Sequence, residues 1–167
     1  MKPADAYQDA VDLLDADHKA VKKLFIDFNA LCDDGAAPAA KRPIADKICQ
    51  ALLIHTRIEE EIFYPAVRKA TGDTPLVDEA MDEHAQAKET ISRIQSMDES
   101  DKDFDKTVKL LGELIDAHVL EEREQMFIEA RQSNADLRGL AIQLFDRKQE
   151  LKSADAGSAG KSSKVTA

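Results

Sequence analysis

The chain has 167 residues, including 6 glycines and 5 prolines, and 34% of its side chains are charged. This length is typical of one domain with a full hydrophobic core, and the many helix-forming residues favour an all-α fold. The formal net charge of -10 argues against nucleic-acid binding and against anionic membranes, because both need basic surface. No apolar run approaches the roughly 20 residues of a transmembrane helix, and the N-terminus lacks the apolar core of a secretory signal. We therefore expect a cytoplasmic protein.

Four amphipathic helices are predicted where apolar residues recur at steps of three and four. They cover about residues 5–32, 40–69, 75–97 and 103–131. Pro65 lies inside the second pattern, which predicts a kink or an end there. Thr74 fits the N-cap position of the third helix, and Pro75 fits its first turn. A shorter fifth helix is predicted from about Asp136 to Leu151.

The breaks between these helices are short, so consecutive helices should run antiparallel. The predicted fold is an up-down-up-down four-helix bundle with a short fifth helix at the C-terminus, forming one domain over residues 1–151. Residues 152–167 are rich in Ser, Ala, Gly and Lys, which predicts a disordered tail. Cys32 and Cys49 are expected to be reduced thiols, as is usual in a cytosolic protein.

Each bundle helix carries one of the chain's four histidines, and two of these histidines are followed four residues later by Glu. The candidate metal ligands are His18, His55, Glu59, His84, His118 and Glu122. The i, i+4 spacing places each His–Glu pair on one face of its helix. Counted from the turns, all six residues lie at about the same height. Such groups would strongly destabilise a core if they were unpaired, and a bound metal removes that cost.

The type of ligand narrows the choice of metal. Nitrogen and carboxylate oxygen without thiolate suit iron, manganese or zinc. Six ligands exceed the needs of one tetrahedral zinc ion and match two metals bridged by two carboxylates, with positions left for a small molecule. A lone histidine on an apolar face is more often an ordinary core residue. The metal interpretation gains weight because all four histidines share one height.

Several neighbouring residues have a plainer interpretation. The carboxylates of Glu60, Glu61, Glu121 and Glu124 are expected to face solvent, although Glu60 or Glu121 would replace a ligand if the helix register shifted by one. Tyr64 is expected in the core or in a turn before Pro65. Its alternative role is next to the metals, as a further ligand or a residue that supports one.

These residues resemble the hemerythrin-like (HHE cation-binding) family. The resemblance rests on residues 13–18, 55–65, 82–84 and 118–122 and extends over about residues 5–150. It implies a bundle that holds an oxo- or hydroxo-bridged non-haem di-iron centre, with the four histidines as terminal ligands and Glu59 and Glu122 as bridges. The chain differs from oxygen-carrying members, which have two histidines on the third helix, whereas Ala80 and Lys88 flank His84 here.

The resemblance implies a protein that binds or reacts with a small oxidant, namely dioxygen, nitric oxide or hydrogen peroxide. Catalase-like disproportionation of peroxide is the enzymatic form of this hypothesis. The alternative is an iron- or oxygen-sensing module without turnover, and iron storage ranks third. Loading with manganese or zinc stays open, as does the oligomeric state. Neither nucleic acid nor a membrane is expected as a partner.

Overall fold

The computed structural model describes residues 6–161, which form five helical rods and no strand. Helices that continue into one another without a break are counted here as one rod. The five rods are α1 (Ala10–Asp33); α2 (Pro38–Ile58) with a π-helical turn π1 (Glu59–Phe63) and α3 (Tyr64–Thr71); α4 (Thr74–Ser96); α5 (Phe104–Glu121) with a second π-helical turn π2 (Glu122–Met126) and α6 (Phe127–Gln132); and α7 (Leu137–Lys161). Across the described residues, none of these helices has both the length and the apolar character needed to cross a membrane.

Aspartate side chains cap the N-termini of two of the rods. Asp9 caps α1 by accepting a hydrogen bond from the backbone N–H of Asp12. The helix predicted from about Asp5 begins only at Ala10, because residues 7–9 are not helical, and Asp5 itself lies outside the described residues. Asp73 caps α4 by accepting from the N–H of Leu76, so the N-cap predicted at Thr74 is wrong by one residue. A carboxylate accepts such a bond well and also favours the positive end of the helix dipole.

The first four rods close into a ring in which α1 packs against α2 and α5, and α4 packs against the same two helices. This arrangement confirms the predicted all-α bundle. Two apolar clusters fill the interior. One includes Leu14, Ile58 and Phe63, and the other includes Phe28 and Leu111. Between the two clusters lies a buried polar layer, which every rod of the ring crosses.

The fifth rod, α7, lies against α1 and α2. It continues to Lys161, ten residues past the predicted end at Leu151. Residues 152–161 are therefore helical in the structure, where the sequence predicted the start of a disordered tail. Alanines in this stretch favour helix, and Asp155 accepts a hydrogen bond of 3.2 Å from the Gln50 side chain of α2. Residues 162–167 of the predicted tail lie outside the described residues.

Candidate metal centre

The polar layer brings all six predicted ligand residues together, and each is at most 6% exposed. Glu59 lies at its middle. Its Oε1 atom is 3.1 Å from His55 Nε2 and 3.9 Å from His18 Nε2. Its Oε2 atom is 3.1 Å from His84 Nε2. One carboxylate thus faces two groups of imidazoles, and each group could hold a metal ion.

Glu122 lies across the layer from Glu59. Its Oε1 atom is 2.6 Å from His118 Nε2 and 3.7 Å from His18 Nε2. The Nε2 atoms of His84 and His118 are 3.1 Å apart. The second carboxylate therefore also reaches histidines of both groups, as a bridging ligand must.

Many polar atoms of this layer make no well-oriented hydrogen bond, although imidazoles and carboxylates lie close to one another there. They are both ring nitrogens of His18, Nε2 of His55, Oε1 of Glu59 and both oxygens of Glu122. Buried polar atoms in folded proteins are almost always hydrogen-bonded, because desolvation without a partner costs about 1–3 kcal/mol for each group. The atoms without such a bond belong to four of the six predicted ligands, whose donors are imidazole nitrogens and carboxylate oxygens. The donor set therefore fits bound cations.

Three of the histidines are oriented by a carboxylate on a neighbouring rod. His55 Nδ1 is 3.1 Å from Asp17, His84 Nδ1 is 2.9 Å from Glu60, and His118 Nδ1 contacts Glu83. An ionised carboxylate can only accept a hydrogen bond, so Nδ1 carries the proton in each ring. In the neutral ring the lone pair then lies on Nε2, which faces the polar layer. This is the tautomer that a metal requires.

These three contacts follow the ring of rods. Asp17 of α1 supports a histidine of α2, Glu60 of π1 supports one of α4, and Glu83 of α4 supports one of α5. Lysines stand behind two of the carboxylates, because Lys148 of α7 contacts Asp17 and Lys88 lies 2.7 Å from both oxygens of Glu60. The line along which two neighbouring rods of the ring meet is called a seam here. At the fourth seam, between α5 and α1, no such carboxylate–Nδ1 contact is present among the described residues.

His18 therefore has a different environment from the other three histidines. The carboxylate next to its Nδ1 atom is that of Asp15, at 3.9 Å, which is too far for a hydrogen bond. The ring is held by packing instead, since it stacks on Phe127 with centroids 5.8 Å apart and an interplanar angle of 12°. Burial and the neighbouring His55 lower the pKa of His18 to about 3, so the ring is neutral at ordinary pH.

Tyr64 points into the layer. Its hydroxyl donates to Glu59 Oε2 at 3.1 Å and lies 3.0 Å from His84 Nε2 and 3.3 Å from His118 Nε2. Burial and then the charges of Glu122 and Glu59 raise the pKa of Tyr64 well above its usual value, so the phenol keeps its proton. The hydroxyl lies directly next to the predicted ligands, as in the alternative considered from the sequence.

The π-helical turns explain why the Tyr64 side chain lies in the polar layer. Each begins at a predicted glutamate ligand, at Glu59 in π1 and at Glu122 in π2. Residues five apart lie on different faces of an α-helix, whereas the wider π-helical turn brings them onto the same face. Tyr64 is five residues after Glu59, and Phe127 is five residues after Glu122. The two turns thus place one phenol and one phenyl ring at the centre.

Without a cation the layer binds protons in its place. Burial lowers the pKa of His118, but Glu122 and Glu83 outweigh it and raise that pKa to about 10. Burial and the charge of Glu59 raise the pKa of Glu122 to about 7. For His55, Glu59 and Asp17 likewise outweigh burial and raise the pKa. Metal ions would displace these protons, so metal binding and proton release are linked.

The supporting residues were mostly missed by sequence reasoning. Glu60 was expected to face solvent, but it is half-buried and holds His84 and Lys88. Asp17, Glu83 and Lys148 received no role. A signal was present, because Asp17 precedes His18 and Glu83 precedes His84 in the chain. A residue adjacent to an inward-facing ligand points sideways from its helix, toward the neighbouring rod. Glu61 and Glu124 are exposed, as predicted.

The fold and the layer together define a helical-bundle protein built to bind metal. A search of solved structures supports the fold: the crystal structure of a hemerythrin HHE cation binding domain-containing protein from Mycobacterium kansasii matches with a TM-score of 0.73. The match covers 87% of this chain and 88% of that one at 22% identity.

The sequence comparison identifies the family. The hemerythrin HHE cation binding domain matches residues 9–130, and the chain belongs to this family. A relative named DNA nickase, from Nostoc sp., is 29% identical over 122 residues. The aligned part is 72% of this chain but 33% of the relative, so the chain spans about a third of the nickase's length.

Proposed function

We propose that this protein holds two iron ions in the polar layer and reacts there with a small oxidant. The observation that carries the proposal is the position of Glu59, whose two oxygens face different groups of histidines at 3.1 Å. A carboxylate placed in this way suits two metals side by side. The nitrogen and oxygen donors, without thiolate, favour iron or manganese over a soft metal.

In this proposal each side chain has a defined role. His18 and His55 bind one metal, His84 and His118 bind the other, and Glu59 and Glu122 bridge the two. The carboxylates Asp17, Glu60 and Glu83 hold the proton on Nδ1 and so keep Nε2 available. Such supporting contacts commonly change metal affinity by about 10–100-fold when removed.

When bound, a pair of iron ions supplies redox chemistry and open coordination positions for dioxygen, nitric oxide or hydrogen peroxide. The protein contributes a dry, ordered environment, because the apolar clusters on both sides exclude water from the layer. Tyr64 contributes a hydroxyl proton that is held at Glu59 Oε2 and lies between His84 and His118.

The test is the metal content of the purified protein, together with its visible spectrum before and after hydrogen peroxide. We expect about two irons per chain, as in two-metal sites generally, and oxygen evolution if peroxide is disproportionated. Glu59→Gln removes the charge of the bridge while keeping its size, so it should lose at least one metal. Glu124→Gln makes the same chemical change at an exposed position and should keep full loading.

Two results would contradict the proposal. The first is a Glu59→Gln protein that holds as much iron as the Glu124→Gln control. The second is a wild-type protein without bound metal that remains stably folded, which would leave the unpartnered atoms of the layer without a cation.

The burial of the ligands supports a second candidate, a metal-dependent sensor. Because Glu59 and Glu122 are at most 2% exposed, loss of metal leaves their carboxylates buried, with protonated histidines in place of the cations. Folding would then report metal content to a partner. Rapid proteolysis after iron removal, combined with slow or absent turnover of peroxide, would favour the sensor. Rapid turnover would favour the oxidant-reactive protein.

A further inference from the structure

A groove runs along the seam between α1 and α5 and ends at His18. It encloses about 510 Å³. The buried side chains of Phe25 and Ile115 and the half-buried Val119 form its walls, and Ile26 and Leu120 stand at its mouth. These last two residues are 58% and 56% exposed, which is unusual for large apolar side chains. The inner walls are therefore apolar up to the buried imidazole, whereas exposed charged side chains line the outer part, namely Lys19, Lys22, Lys23, Asp116 and Arg123.

The inner end of the groove is a histidine with free nitrogen atoms. His18 is 6% exposed, and neither of its ring nitrogens has a hydrogen-bond partner. At the other three seams of the ring, the carboxylates of Asp17, Glu60 and Glu83 accept hydrogen bonds from histidine Nδ1 atoms. The α1/α5 seam is crossed instead by two ion pairs of exposed cations, Lys22 to Asp116 and Arg123 to Asp15, each at 2.7 Å. Inside these pairs, no hydrogen bond occupies the ring nitrogens of His18.

A second, larger groove provides a comparison. It encloses about 760 Å³ between α2, α4 and α7, and none of the six predicted ligands lines it. Its inner wall carries Glu60, whose carboxylate is already occupied by His84 and Lys88. Arg57 and Glu61 add further charges to its walls. This larger groove therefore leads to a carboxylate that is already paired, and not to one of the six predicted ligands.

We propose that the α1/α5 groove is the passage by which a small apolar molecule, of the size of dioxygen or nitric oxide, enters the layer beside His18. The proposal rests on the proposed function, because it assigns a route to the same centre. An apolar lining favours uncharged molecules and disfavours ions, which would lose their hydration there. The groove would therefore select by polarity before any ligand reaches the metals.

Xenon pressurisation of crystals of the metal-loaded protein tests the passage directly. Xenon is an apolar probe that does not depend on the metals. We expect a xenon atom between Phe25 and Ile115 in the wild-type protein and none in Val119→Trp, whose ring would fill the groove. Leu120→Trp closes the mouth from an exposed position, so it provides a second variant that leaves the core undisturbed.

Stopped-flow binding of nitric oxide to the reduced protein tests the function of the passage. Val119→Trp and Leu120→Trp should slow binding by about tenfold, which corresponds to a barrier raised by about 1.4 kcal/mol. Iron content and the final spectrum should not change. Leu53→Trp is the matched control, because Leu53 is also half-buried but lines the other groove. Its binding rate should equal that of the wild-type protein.

The outcomes separate this proposal from the proposed function. An absence of xenon from the groove overturns the passage, as do unchanged rates in both tryptophan variants or slowing by Leu53→Trp alone. A protein without iron overturns the proposed function, and the xenon experiment then decides alone whether the groove admits apolar molecules.

Discussion

At the scale of single residues, the four histidines divide into three supported rings and one unsupported ring. His55, His84 and His118 each have a carboxylate at Nδ1, and the pKa of each is raised above its ordinary value. His18 has no such partner, and burial lowers its pKa to about 3. The side chain that ends the α1/α5 groove is therefore also the one that most resists protonation.

This difference predicts acid sensitivity of the metal-free protein. The pKa of His18 is about 3 in the fold and 6.5 as its ordinary value, so protons favour the unfolded chain between these limits. The free energy of unfolding should fall as pH decreases from 6.5 toward 3, by up to about 1.4 kcal/mol per pH unit from this group. Urea unfolding of wild type and His18→Leu across this window measures the contribution.

The comparison between the two proteins isolates His18 from the other titrating groups. Glu122 has a raised pKa of about 7, so it acts in the opposite direction as pH falls toward its ordinary value of 4.5, in both proteins alike. The wild type should therefore lose more stability than His18→Leu. Parallel curves for the two proteins would show that His18 is not the acid-sensitive group.

The identity of the six candidate ligands could be predicted because it depends on spacing alone. An i, i+4 step puts Glu59 on the face of His55, and short turns bring the four rods to one height. The supporting carboxylates depend on lateral geometry between rods, which a single sequence does not contain. Glu60 shows the limit, since one position along the helix separates a predicted bridge from a side chain that holds His84.

At the scale of elements, the rods were predicted and their interior irregularities were not. Pro65 indicated a kink, and the second rod does change there, through π1 into α3. Yet π2 arises at the corresponding place without any proline. The shared feature is a glutamate of the polar layer at the start of each turn, together with an aromatic ring five residues later. Rules based on local sequence cannot predict such a turn, because it depends on contacts with other rods.

The element α7 contributes to the centre through Lys148, which contacts Asp17 and thereby His55. Lys148→Ala should loosen Asp17 and reduce metal affinity by about tenfold, the lower end of the usual effect of such supporting residues. Competition with a chelator measures the change. Lys152→Ala removes the same kind of side chain one turn later, where it is exposed, and should have no effect. Equal affinities in the two variants would mean that α7 only packs against the bundle.

At the scale of the whole molecule, metal binding and folding are expected to be coupled. At free metal 100-fold above the dissociation constant, binding adds about 2.7 kcal/mol to the free energy of unfolding. Removal of metal by a chelator should therefore lower the melting temperature and speed proteolysis. Thermal unfolding with and without chelator measures this effect.

Glu59→Gln provides the control for that experiment. If metal binding at the layer causes the stabilisation, the chelator should have little effect on this variant. An equal loss of stability in wild type and variant would place the stabilising metal elsewhere.

The cytoplasmic location and the small-molecule partner that the sequence predicts stay predictions.

The two π-helical turns also decide which kinds of mutation the chain can survive. A π-helical turn contains one residue more than an α-helical path between the same two points. Loss of the codon for the exposed Glu61 would therefore leave an α-helical path between the same two ends, and the buried Val67 would keep its place in the core. Tyr64 would then follow Glu59 by four residues, a spacing that puts both on one face of an α-helix. The same loss in a regular helix has no extra residue to remove, so it would rotate everything beyond it by about 100°. Single-residue deletions should therefore survive at exposed positions of the two turns and be purged from the regular helices on either side.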